Sequence, residues 1–136
     1  ALEVALLVNA AGLGKLGTYA DVTRREVDAM VGLNCRVLVD VTQLALPYMR
    51  RGARLMQIAS SASFQPLPGL NVYAASKAFV RSYTRALRFE LRGRGIHVTA
   101  VCPRNGSLSP VDQNRVHRGC PGHQQRRHGQ ALLSPA

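Results

Sequence analysis

Three short apolar runs alternate with two longer stretches in which apolar residues recur every three or four positions. The first run, Val4-Ala5-Leu6-Leu7-Val8, is continuous and stops at Asn9-Ala10-Ala11-Gly12. An unbroken run of this length predicts a strand buried on both faces of a parallel sheet. Leu55-Met56-Gln57-Ile58-Ala59 predicts a second strand. Ile96-His97-Val98-Thr99-Ala100-Val101-Cys102 predicts a third, stopped by Pro103. Between the first two, Val27, Met30, Val31, Asn34, Val37, Leu38, Val41, Leu44 and Ala45 fall at helical spacing. Thr23 with Glu26 three residues on is a capping-box sequence, and Pro47 and Gly52 mark the end, so one helix is predicted over 23–50. A second helix is predicted from about Val72 to Leu91, with Ala75, Phe79, Val80, Tyr83, Leu87 and Leu91 as its apolar stripe. Arg81, Arg85, Arg88 and Arg92 lie on another side, and Gly93 and Gly95 end it. The order β-α-β-α-β predicts an α/β fold with right-handed crossovers and a parallel sheet covered by helices.

Beyond Pro103 the pattern stops. Residues 104–136 are rich in Arg, His, Gln, Gly and Pro, too poor in apolar residues to offset ordering entropy, and are expected to stay disordered. The chain therefore divides into a folded part, 1–103, and a basic tail, 104–136. The net charge of +11 is spread over both parts, +7 on the first and +4 on the second. Such a balance suits nucleic acid or an anionic surface, but no nucleic-acid-binding motif accompanies it, so no such partner is expected. No run reaches 18 apolar residues, so no membrane span is expected. Cys35, Cys102 and Cys120 include no C-x-x-C pair. Cys35 and Cys102 sit in apolar runs, are predicted to be small buried hydrophobes, and suit a reducing, cytoplasmic setting. His117-x-x-Cys120-x-x-His123 falls short of the four ligands of structural zinc, and no metal is expected.

The candidate chemistry lies at Tyr73-Ala74-Ala75-Ser76-Lys77, a Y-x-x-x-K on the second helix. Four residues apart on a helix is one face, one turn apart. An ammonium so close to a phenol favours the phenolate and suits the tyrosine to proton transfer. Alone the motif is common. Here Ser60 precedes Tyr73 by 13 residues at the mouth of a strand, Asn34 lies mid-helix upstream, and Asn9-Ala10-Ala11-Gly12 ends the first strand. In that order these residues resemble the short-chain dehydrogenase/reductase family, whose pattern is N-[NA]-A-G, a helix Asn, a Ser and Y-x-[AS]-[ST]-K. The resemblance covers residues 4–103.

The resemblance implies a partial Rossmann-like, doubly wound parallel sheet. It implies an oxidoreductase that uses NAD or NADP to interconvert a carbonyl and an alcohol of a small-molecule substrate by hydride transfer. By position, Tyr73 becomes the general acid/base and Lys77 its electrostatic support and a ligand of the nicotinamide ribose. Ser60 becomes the hydrogen-bond donor to the substrate carbonyl, with Ser61 as its rival. Asn34 becomes the holder of a water in a proton relay. Asn9, Ala10, Ala11 and Gly12, with Tyr73, Lys77 and Pro103, become the cofactor pocket. The two long helices, 23–50 and 72–92, become the faces of a homo-oligomer.

Two parts of the family pattern are missing. No G-x-x-x-G-x-G turn occurs in the sequence, nor the residue that chooses between NAD and NADP. Residues 1–103 are therefore expected to be the C-terminal part of such a domain, without its first βαβ unit. After Pro103 the family reads P-G with a Thr soon after; here Arg104-Asn105-Gly106-Ser107 follows. The alternative expectation is a truncated, catalytically inactive chain that acts at most as a dimerisation partner.

Overall fold

The computed structural model describes residues 2–104. Strand β1 (Leu6–Asn9) leads into helix α1 (Arg24–Val31), a π-helical segment (Gly32–Val37), helix α2 (Leu38–Ala45) and a 3-10 turn (Leu46–Tyr48). Strand β2 (Arg54–Ile58), a short 3-10 helix (Ser61–Phe64), helix α3 (Asn71–Glu90) and strand β3 (His97–Val101) follow. The three strands form a parallel sheet in chain order, with β2 in the centre. Leu6 stands opposite Arg54, and Arg54 opposite His97. This is the expected partial Rossmann-like α/β architecture.

The capping box at the start of α1 is present in both directions. The Thr23 hydroxyl accepts the Glu26 N–H at 3.3 Å, and the Glu26 carboxylate accepts the Thr23 N–H at 2.9 Å. Lys15 adds an ion pair to Glu26 at 3.0 Å. The single helix expected over 23–50 is interrupted by one wide turn at Gly32–Val37. Apolar spacing cannot reveal such a turn, because it displaces the pattern by only one residue. π-Turns inside α-helices recur at functional sites, and this one carries Asn34. At the far end of α3, Gly95 adopts φ +68, the left-handed conformation that glycine tolerates.

α3 packs on β2 and β3, α2 on β1, and α1 with the π-segment on α3. Both helical layers thus lie on one side of the sheet. Two right-handed crossovers that step in the same direction must place their helices on the same face. Leu55, Gln57 and Val98 point into that layer and are buried. The other face is bare among the described residues: Leu6 is 54% and Val8 44% exposed. The expectation that β1 is buried on both faces is therefore corrected. One core cluster joins Met49, Ala53, Leu55, Leu87, Leu91, Ile96 and Val98; a second joins Leu38, Ala59 and Val80 beneath the cleft.

The buried face of α3 differs from the predicted stripe. Ala74, Ser76, Lys77, Val80, Thr84 and Leu87 are buried, whereas Ala75 and Phe79 are exposed. An apolar count misplaces the stripe because half of the buried residues are polar. Cys35 and Cys102 are half-buried, not buried. The stretch Arg24–Tyr48 is long and apolar enough by length and composition to cross a membrane. Counting unbroken runs overlooks it, because Asn34, Arg36 and Asp40 interrupt them. Its Met30, Asn34, Leu38 and Thr42 are buried in the α/β layer. The tail beyond Arg104, with His117, Cys120 and His123, lies outside the described residues. Among the described residues no three His, Cys, Asp or Glu side chains gather at one point.

Candidate active site

β1, β2 and β3 end side by side, and the segments that leave their carboxyl ends enclose a cleft of about 420 Å³. That is where open α/β sheets bind ligands, and the volume falls in the usual range of about 300–1,000 Å³. Ala10, Gly12, Leu13, Gly14 and Leu16 come from the loop after β1; Ile58, Ala59 and Ser60 from the end of β2. Leu70, Tyr73 and Lys77 come from the start of α3, and Pro103 follows β3. A cavity of about 720 Å³ elsewhere, beside Arg85, Arg88 and Arg92, holds none of these groups.

Ser60 is buried and begins the 3-10 helix, its hydroxyl accepting the Ala62 N–H at 3.1 Å. Ser61 does not line the cleft, and its N–H donates to the Pro103 carbonyl at 3.0 Å. Tyr73 and Lys77 are one turn apart on α3, with the Lys77 Nζ 5.9 Å from the centroid of the Tyr73 ring. Lys77 Nζ donates to the Ile58 carbonyl at 2.9 Å, which ties α3 to the end of β2. Burial pushes the Lys77 pKa below that of a free lysine, and Cys35 pulls it slightly back. Burial likewise raises the Cys35 thiol, with Lys77 acting the other way.

Asn34 stands behind the loop rather than in the cleft. Its Nδ2 donates to the Leu13 carbonyl at 2.8 Å, and its Oδ1 accepts the Leu13 N–H at 2.8 Å. The loop lies close to α3: a Cβ on Gly12 would stand 3.0 Å from Lys77 Nζ, and one on Gly14 3.0 Å from Tyr73 Cδ2. Only glycine fits at both places without displacing a neighbour.

Ser60, Tyr73, Lys77, Ala10, Gly12 and Pro103 are therefore brought together, while Asn9 and Ala11 do not line the cleft. Asn9 Nδ2 donates to Thr42 Oγ1 and to Gln57 Oε1, each at 3.0 Å. Gln57 Nε2 donates to Thr42 Oγ1 at 3.1 Å, and the Thr42 hydroxyl donates to the Leu38 carbonyl at 2.7 Å. This buried network joins β1, β2 and α2 just below the cleft. Sequence reasoning missed Thr42 and Gln57. A signal was present in each case: Gln57 is the one polar residue in an apolar strand run, and Thr42 follows Asn34 by two turns.

The fold and the cleft define an open parallel α/β protein with a Ser, a Tyr and a Lys gathered at the carboxyl ends of its strands. The chain belongs to the short chain dehydrogenase family, whose family model matches residues 2–117, past the boundary drawn at residue 103. It is 41% identical over 105 residues to sulfoacetaldehyde reductase 2 of Chromohalobacter salexigens, covering 74% of this chain and 42% of that protein. It is 34% identical over 103 residues to the 3-oxoacyl-[acyl-carrier-protein] reductase FabG of Thermotoga maritima, covering 74% and 42%. Among solved structures, a short chain dehydrogenase of Burkholderia cenocepacia in complex with NADP superposes with a TM-score of 0.71 and 31% identity. That likeness covers 85% of this chain and 49% of the other. The chain spans less than half the length of these relatives.

Proposed function

We propose that this chain is the proton-transfer segment of an NAD(P)-dependent oxidoreductase that interconverts a carbonyl and an alcohol. The observation that carries the reading is the meeting of Ser60, Tyr73 and Lys77 in one cleft at the carboxyl ends of the strands. Gly12 and Gly14 let the loop after β1 close up against Lys77 and Tyr73, so that one wall of the cleft is backbone. Ala10, Gly12, Tyr73, Lys77 and Pro103 are the residues that would hold the dinucleotide, with Asn9 and Ala11 shaping the strand end behind them. When bound, the nicotinamide supplies or accepts the hydride. In the reducing direction the Ser60 hydroxyl orients the carbonyl by a hydrogen bond to its oxygen. The Tyr73 phenol gives its proton to that oxygen as it becomes an alkoxide. The Lys77 ammonium favours the phenolate left behind, and Asn34 holds the loop after β1 in place beside both side chains.

Helix-to-helix association with a second copy belongs to the same reading. Leu44 on α2 is 72% exposed and Phe89 on α3 75% exposed, apolar surface on the two long helices that a partner would cover. The free thiols of Cys35 and Cys102 suit a reducing, cytoplasmic setting. A second reading, an inactive chain that acts only as such a partner, rests on the same exposed helix residues.

The test is a graft. Residues 4–103 replace the equivalent segment of the Thermotoga maritima reductase, and loss of reduced-nicotinamide absorbance is followed with a panel of ketones and aldehydes. Reduction is expected, with Tyr73→Phe lowering kcat by about 10²–10⁴-fold, the usual contribution of a general acid. A graft that folds and binds NADPH but reduces nothing overturns the first reading.

A further inference from the structure

We propose that Ser76 is a positioning residue, a hydroxyl latch that fixes the orientation of the Asn34 amide and through it the loop beneath the cleft. The inference rests on the proposed active site. Ser76 is buried on the face of α3 between Tyr73 and Lys77. Its hydroxyl donates to the Tyr73 carbonyl at 2.7 Å. With its one proton committed there, the oxygen has only acceptor capacity left. It meets Asn34 Nδ2 at 2.9 Å. A flipped Asn34 amide would point an acceptor at an acceptor, so Ser76 reinforces the orientation that the Leu13 N–H and carbonyl also require.

That contact has a second effect. With one Nδ2 proton on Ser76, the other falls on the Leu13 carbonyl and Oδ1 receives the Leu13 N–H, all at 2.8–2.9 Å. Leu13 is thereby held by both its backbone groups. Gly12 and Gly14 flank it, and each comes within a Cβ of Lys77 or Tyr73. The latch runs from α3 through the π-turn to the loop and sets how closely the loop approaches the two reactive side chains. Without the hydroxyl, Asn34 keeps a buried N–H with no acceptor, and the two Leu13 bonds lose the third contact that anchors the amide to α3.

Hydrogen exchange reads this directly on the purified chain, and it requires no turnover. In Ser76→Ala the Leu13 N–H should exchange about tenfold faster or more, the expected consequence of a buried donor left unmatched. Leu55 and Val98 in the sheet should keep their protection. Ser76→Thr, which retains the hydroxyl, should restore Leu13. Unchanged Leu13 exchange in Ser76→Ala overturns the latch, and so does equal loss of protection at Leu13, Leu55 and Val98 that Ser76→Thr leaves uncorrected. If Ser76→Ala does not fold, the wild-type chain decides: the Asn34 side-chain NH₂ must exchange slowly, as a doubly bonded group does, and fast exchange there refutes the proposal. The graft described above separates the two levels. A chain that holds Leu13 through Ser76, in a graft that binds NADPH but reduces nothing, leaves the latch standing and removes support for the proposed function.

Discussion

Lys77 combines burial with a charge, and that combination has a cost that depends on pH. Its side chain is almost wholly enclosed, and burial lowers its pKa from the 10.5 of a free lysine. The sign follows from proton counting. Between the lowered folded value and 10.5, the unfolded chain binds more protons than the folded one, so stability rises with pH through that window. The contribution is fully present above the unfolded value and is lost as pH falls through the folded one. Lys77→Met should therefore flatten the gain: urea midpoints of wild type and variant should diverge as pH climbs toward 10.5, with wild type showing the steeper rise. Parallel curves would show that the ammonium carries no such penalty. At this scale the motif residues were legible in the sequence, and the 13-residue spacing selected Ser60 over Ser61. Asn9 bonds to Thr42 and Gln57 instead of lining the cleft, as alternation from Leu7, which points it to the helical side of the sheet, requires. Ser76 stayed hidden because the pattern Y-x-[AS]-[ST]-K fixes its residue type without saying what the hydroxyl touches.

Helix α1 depends on a start signal that is written locally. Glu26 is held at a pKa of about 2, below the ordinary 4.5, by the Thr23 N–H, Lys15 and the Thr23 hydroxyl. Its stabilising effect is present above 4.5 and is lost as pH falls toward about 2. Glu26→Gln should remove this part of the acid sensitivity, read as urea midpoints between those limits. Thr23→Ala should lower stability by about 1 kcal/mol at neutral pH, the usual cost of a lost N-cap. A variant as stable as wild type in both experiments would mean that packing alone holds α1. Strands and helices were legible to within about two residues, because apolar runs and helical spacing are local signals. The π-turn was not, since a single added residue leaves the apolar spacing on either side intact. Nor was the buried face of α3, where Ser76, Lys77 and Thr84 are enclosed through hydrogen bonds that hydropathy does not register.

At the largest scale, residues 1–136 taken by themselves should not turn over substrate. These residues carry no G-x-x-x-G-x-G turn for a pyrophosphate, so alone they should hold little dinucleotide beside Tyr73. Proton transfer without a positioned hydride donor leaves most of the rate enhancement unrealised. Purified chain with NADH or NADPH and a ketone panel should show no absorbance loss; turnover abolished by Tyr73→Phe would contradict this. The sheet topology has a further consequence, for the time the molecule takes to fold. Leu6 pairs with Arg54 and Arg54 with His97, gaps of 48 and 43 residues, and among the described residues no hairpin joins any two strands. Each ladder must wait for a long loop to close, and the entropy of closure is met before any strand pairing rewards it. β2 takes part in every rung, so neither outer strand has a partner until it arrives. Helices α1, α2 and α3 can form early from local contacts alone, and the arrival of β2 then governs the rate at which the three ends of the cleft come together.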